Sequence, residues 1–82
     1  MNNLDSFFKS NHTAATKLLL LWFKQREAQG IKNKVPIVTI CQELNLSHVT
    51  VLAAIAALRD DNLVVVRSID SKREANEYFV NI

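Results

Sequence analysis

Side chains capable of chemistry are few in this chain, and their spacing keeps them apart. Ser47 and His48 are a nucleophile and a base by type, but neighbours on a helix point in different directions and do not form a proton-exchanging pair. Cys41 is the single cysteine, so it has no disulfide partner, and with His12 and His48 it leaves a four-ligand zinc site incomplete. Packing in the interior is the expected role of Cys41, ahead of a redox switch. No carboxylate pair stands out, and one glycine cannot build a phosphate-cradling loop. The expectation is a protein that is not an enzyme and uses no metal or cofactor. What remains is cationic: Arg67, Lys72 and Arg73 lie close together, and Lys32 and Lys34 form a second small group. Such side chains suit contacts to phosphate oxygens, although Asp70, Glu74 and Glu77 nearly neutralise the first group and a merely solvated segment is the alternative.

The elements that must hold these residues come from one small domain. The chain has 82 residues, and no linker-like stretch divides Leu4 to Ile82. An apolar fraction of 49% against 22% charge supplies enough to bury for folding, though burial in so short a chain is modest and association with partners can add to it. The longest apolar run, Leu18 to Phe23, is far below the roughly 20 residues of a membrane span. The lone thiol, the absence of a span and the lack of a leader-like cleavage site lead to the expectation of a cytoplasmic protein. Net charge is +2, with six basic and three acidic residues over 1–50 and four basic and five acidic over 51–82.

Residues 1–12 read as an N-terminal arm with weak signals. Thr13 to Gln29 reads as a first helix, with Ala14, Ala15, Leu18, Leu19, Leu21 and Trp22 on the inward face and Gly30 as the stop. That leaves Leu20 and Phe23 outward, to be covered by Phe7 and Phe8 folding back or by a second copy of the chain. Ile31 to Val35 reads as a short connection, and Pro36 fits the first position of a second helix ending near Leu44. Asn45 suits a left-handed exit, Ser47 suits a cap, and a third helix follows from His48 to about Asp61, ending at Asn62. Its inward stripe is Val51, Ala54, Ile55 and Leu58. Beyond it, Leu63 to Ile69 and Glu77 to Ile82 read as strands joined by the polar stretch Asp70 to Asn76. The fold class is thus mainly α with a small β-hairpin: helix 13–29, a helix pair over 36–61 and a hairpin over 63–82.

This order, with Ile40-Cys41-Gln42-Glu43-Leu44-Asn45-Leu46-Ser47 and the positions Thr50-Val51, Ile55, Leu58 and Asn62-Leu63, resembles the winged helix-turn-helix domains of MarR-like and GntR-like bacterial regulators. Asn45 stands where those families usually have glycine. The resemblance implies a third helix set in the DNA major groove and a hairpin, the wing, lying along the flanking backbone. Carried over by position, Ser47, His48, Val49, Thr50 and Ala53 are groove candidates, and Arg67, Lys72 and Arg73 are wing candidates. Ser47 also has the role of a cap, and His48 that of plain polar surface. Lys32 and Lys34, flanking the start of the second helix, either meet the DNA backbone or keep a connection soluble.

The outward face of the third helix, Val49, Leu52, Ala53 and Ala56 with Asp60 below, departs from those families because it has no basic residue. It offers contacts to thymine methyls and close approach, but no bidentate reading of guanine. The first expectation is a small duplex-DNA-binding protein, a transcriptional regulator, forming a homodimer through the first helix and the N-terminal arm. The second is a winged-helix protein-interaction module or replication-associated factor docking through the third helix. The third is single-stranded DNA, for which Tyr78, Phe79 and the N-terminal aromatics are the stacking groups.

Overall fold

A computed structural model describes residues 3–67 and 76–82. In chain order these form α1 (Asn3–Phe8), α2 (Ala14–Ala28), β1 (Asn33–Lys34), α3 (Ile37–Leu44), α4 (His48–Asp60), β2 (Val64–Arg67) and β3 (Glu77–Val80). The protein is mainly helical, with a small antiparallel sheet in the order β1-β3-β2. Among the described residues, no single helix is long and apolar enough to cross a membrane.

Three helices end in one way. The chain turns left-handed at Gly30 (φ 77°), Asn45 (φ 54°) and Asn62 (φ 60°). The next amide then reaches back to the last turn, from Ile31 to Arg26, Leu46 to Cys41 and Leu63 to Leu58, at 2.9, 3.1 and 2.9 Å. These bonds satisfy carbonyls that a helix end otherwise leaves without partners. Helix starts are equally local, since Thr13 Oγ1 accepts from the Thr16 amide and Ser47 Oγ from the Thr50 amide. The stops expected at Gly30, Asn45 and Asn62 and the cap at Ser47 are all present. Pro36 sits one position earlier than expected, as the N-cap of α3 rather than its first residue.

The core is a sandwich of α2 on α4, closed by the sheet. Val51, Ala54, Ile55 and Leu58 of α4 face inward, as their spacing demands. They meet Thr16, Leu19, Leu20 and Phe23 of α2. This corrects the inward face expected for the first helix: Leu18 and Leu21 are exposed, whereas Leu20 and Phe23 are fully buried. The cause is the charge on α2, which turns toward the sheet. Glu27 Oε2 accepts from the Val80 amide at 2.8 Å, Lys24 Nζ donates to the Ile82 oxygen at 3.0 Å, and Arg26 Nε donates to Asn33 Oδ1 at 2.8 Å. Held between these ties, Leu20 and Phe23 have nowhere to point but inward. Phe7 is buried in the same cluster, so the arm does fold back over them, while Phe8 stays exposed.

Two further differences concern short elements. Residues 3–8 form α1, whose Asp5 and Lys9 pair at 3.1 Å. The expected connection 31–35 contains β1, which pairs Asn33 with Tyr78 and Lys34 with Glu77 on β3. Two residues are too few for a periodic signal, so β1 is set by its surroundings: Asn33 is buried, and its Nδ2 donates to the Phe23 carbonyl at 3.1 Å. β2 and β3 pair from Val64 with Val80 to Arg67 with Glu77, so both expected strands are present, the first starting one residue after Leu63 and the second ending two residues before Ile82. Residues 68–75, which include the expected turn except Asn76, lie outside the described residues.

Candidate nucleic-acid interface

α3 and α4 are separated by Asn45, Leu46 and Ser47, and the chain bends by 106° between their axes. That is the angular range and turn length of two-helix units that present their second helix outward. The left-handed Asn45 makes the bend, and Ser47 starts α4 at once by occupying its N-terminal amides. Leu44 and Leu46 pack against the core and so anchor the corner from below.

On α4 the outward residues fall where spacing from the buried stripe places them. Val49 is 76% exposed and Leu52 45%, with His48 and Ala53 also exposed and Ala56 partly so. Ser47 is exposed, but its hydroxyl is occupied twice, donating to Thr50 Oγ1 at 2.8 Å while accepting from the Thr50 amide at 3.1 Å. Thr50 is half-buried, and its hydroxyl is held in that pair. Ser47 and Thr50 therefore hold the start of α4, whereas His48, Val49 and Ala53 form the accessible ridge.

Grooves run along both sides of this ridge. One, about 440 Å³, lies between α4 and the entry to α2, with His12, Thr13, Ala53 and Ala57 in its walls. Its rim is held by His12, whose Nε2 is 2.5 Å from Asp61 Oδ2. The other, about 250 Å³, lies between α4 and the hairpin, with Leu52, Arg59, Val66 and Asn76 in its walls. Below it Tyr78 stacks on Phe23 with centroids 5.1 Å apart, and burial raises the pKa of its hydroxyl above 10, against a smaller opposing effect of its hydrogen bond to Asn76.

The cations are not on the ridge. Over residues 36–62 the charged side chains are Glu43, Arg59, Asp60 and Asp61, and Arg59 lies 3.9 Å from Asp60. Over residues 13–35 they are Lys17, Lys24, Arg26, Lys32, Lys34 and Glu27. The structure thus brings Ser47, His48, Val49, Thr50 and Ala53 together on one helix. Lys32 and Lys34 are exposed on and beside β1, shortly ahead of α3, with Lys34 opposite Glu77. Arg67 is exposed at the end of β2. Lys72 and Arg73 lie outside the described residues.

No constellation of three or more His, Cys, Asp or Glu residues able to hold a metal occurs among the described residues. Cys41 is half-buried, packed against the core. Sequence reasoning missed Asn33 and Arg26, the pair that joins β1 to α2. Their link spans only seven residues, but neither residue type announces it. The chain matches no family model, no curated protein and no solved structure at a significant level.

Proposed function

We propose that this protein is a winged helix-turn-helix DNA-binding protein, acting as a transcriptional regulator that sets α4 in the major groove of duplex DNA. The supporting observation is the 106° corner at Asn45–Ser47, which leaves the Val49 and Ala53 side of α4 exposed. A ridge of small and apolar side chains brings the helix backbone close to base edges and offers methyl contacts, while giving little bidentate recognition. Phosphate contacts then have to come from outside α4, with Arg67 at the end of β2 and Lys32 and Lys34 on and beside β1 as the candidates, together with Lys72 and Arg73, which lie outside the described residues.

A second reading, protein docking through the same ridge, is favoured by one observation: residues 36–62 carry three acidic side chains against the single Arg59, and Leu52 is exposed. Titration of a fluorescent duplex at two salt concentrations, with the wild type and Ala53→Glu, separates the readings. Groove insertion predicts that Ala53→Glu loses at least about tenfold in duplex affinity, the scale of one good base contact. Wild-type affinity should fall with salt, by a slope that drops by about 1 in Arg67→Ala. Duplex affinity unchanged by Ala53→Glu, with an unchanged thermal melt, would remove the groove and promote the docking reading.

A further inference from the structure

The sheet order β1-β3-β2 leaves two edges, and they are built differently. β1 is two residues long and carries Lys34, and beyond it the Glu27 carboxylate takes the Val80 amide that a longer edge strand would use. A short strand, a lysine and a covering side chain are common means of keeping an edge from pairing with other chains. β2 has none of them along Val64, Val65 and Val66, and its one charge, Arg67, stands at its end.

The direction of each backbone group along β2 follows from its ladder. Val80 sends its amide to Glu27, away from β2, and the Asn81 amide donates to the Leu63 carbonyl at 2.8 Å. Antiparallel pairs alternate, so Val65 and Arg67 bond to Phe79 and Glu77, whereas Val64 and Val66 turn their N–H and C=O outward. Among the described residues nothing bonds to those outward groups. The outer face of this edge is apolar as well, because Val65, 52% exposed, lies opposite Phe79, 40% exposed.

We propose that β2 pairs antiparallel with β2 of a second copy of the chain, about a two-fold axis at Val65. Unpaired amides and carbonyls call for an extended backbone, and this edge fits its own copy. With Val65 opposite Val65, each Val64 meets a Val66, so both outward residues of each copy find partners within the strand. An axis at Val64 or Val66 would set one of them opposite residue 62 or 68, beyond the four residues of β2. The register at Val65 places Arg67 opposite Leu63, so like charges do not face each other. It also joins two Val65 and Phe79 pairs into one apolar strip across four strands, a match that an unrelated extended segment would not supply. Val49 and Ala53 line the groove on the other side of α4 from the one bordered by Val66, so the pairing makes no use of them and does not depend on what α4 binds.

Directly opposed residues at such a position have Cα atoms about 4.5 Å apart, within reach of a disulfide. Val65→Cys should therefore oxidise to a dimer linked from position 65 to position 65, located by mass spectrometry of the unreduced digest so that Cys41 is accounted for. Phe79→Cys is also exposed, but lies three strand spacings, about 14 Å, from its counterpart and should give little dimer. Sedimentation equilibrium of the wild type up to about 1 mM should show a weak dimer, the scale of a small interface. Val65→Lys, which sets lysine against lysine, should weaken it about tenfold. Should that change lower the thermal melt of dilute protein, the two cysteine variants decide alone. The proposal is overturned by a wild type that stays monomeric at about 1 mM, by disulfide dimers as abundant in Phe79→Cys as in Val65→Cys, or by a dimer indifferent to Val65→Lys. A dimer that Leu21→Glu dissociates would place the contact on α2 and overturn it too.

Discussion

α2 and α4 pack on each other, yet they dispose of their charge in opposite ways. Every charged side chain of α2 reaches another element: Lys17 donates to the Phe8 and Ser10 carbonyls, Lys24 to Ile82, and Arg26 to Asn33 and the Lys32 carbonyl, while Glu27 accepts from Val80. On α4 the charged residues Arg59 and Asp60 lie, among the described residues, beside each other. The first helix is therefore the hub that gathers the arm, β1 and β3, and the second is held by its apolar stripe and its caps. A helix that ties nothing else down by its charges can present its outer side chains to a partner without loosening the fold. A hub cannot be altered on its inward side without moving three other elements.

The sharpest way to break this comparison lies within α2 itself, at adjacent leucines. Leu20→Ala removes a fully buried side chain between the charged ties and should cost about 2 to 5 kcal/mol. Leu21→Ala, on the exposed side, should cost under about 1 kcal/mol. Chemical denaturation of both variants measures the difference. Equal losses would mean that α2 is rotated from the orientation described, returning Leu21 to the interior face.

How much of this was legible in the sequence differs between the two helices for a physical reason. In α4 Val51, Ala54, Ile55 and Leu58 recur at the spacing of one helix face, and their period alone sets the inward side although Val49 and Leu52 lie opposite. In α2 the run Leu18 to Phe23 is apolar all round, and only the charges remain to choose a face. Reading charge as a mark of solvent then selects the wrong side, since Lys24, Arg26 and Glu27 extend past the buried face to reach the sheet and keep their polar tips at its rim. The exits at Gly30, Asn45 and Asn62 and the cap at Ser47 were legible because each depends on its own residue and a few neighbours. β1 was not, because a two-residue strand exists only where a partner strand and a buried Asn33 receive it. For the candidate interface, the outward face of α4 follows from spacing, whereas the short strand that carries Lys34 beside Lys32 does not. The sequence left Leu20 and Phe23 to be covered by Phe7 and Phe8 or by a second copy, and the structure covers them within the chain, with Phe7 in the same cluster.

A smaller effect tests the hub through its polar seam. Asn33 is buried, accepts from Arg26 Nε and donates to the Phe23 carbonyl, so it links β1 to α2 twice. Asn33→Ala strands both partners and should cost about 1 to 3 kcal/mol. Because β1 carries Lys34 and borders Lys32, the same change should weaken duplex binding if those lysines meet phosphate. A stability loss with unchanged affinity and salt dependence, measured well below the melting temperature, would confine Lys32 and Lys34 to solubility.

The smallest expected effect lies at the start of α4, where one residue has two candidate roles. Ser47 caps the helix through the Thr50 amide, and loss of such a cap costs about 1 kcal/mol, so Ser47→Ala should destabilise the fold by that amount. Ser47→Asp separates capping from DNA contact. Aspartate caps as well as serine and favours the positive end of the helix dipole, so stability should return to about the wild-type value. If the start of α4 lies against duplex DNA, the added carboxylate faces phosphate and affinity should fall even though the fold is intact. Wild-type affinity in Ser47→Asp, together with restored stability, would leave Ser47 as a cap alone and move the DNA-facing part of the ridge further along α4, toward Ala53 and Ala56.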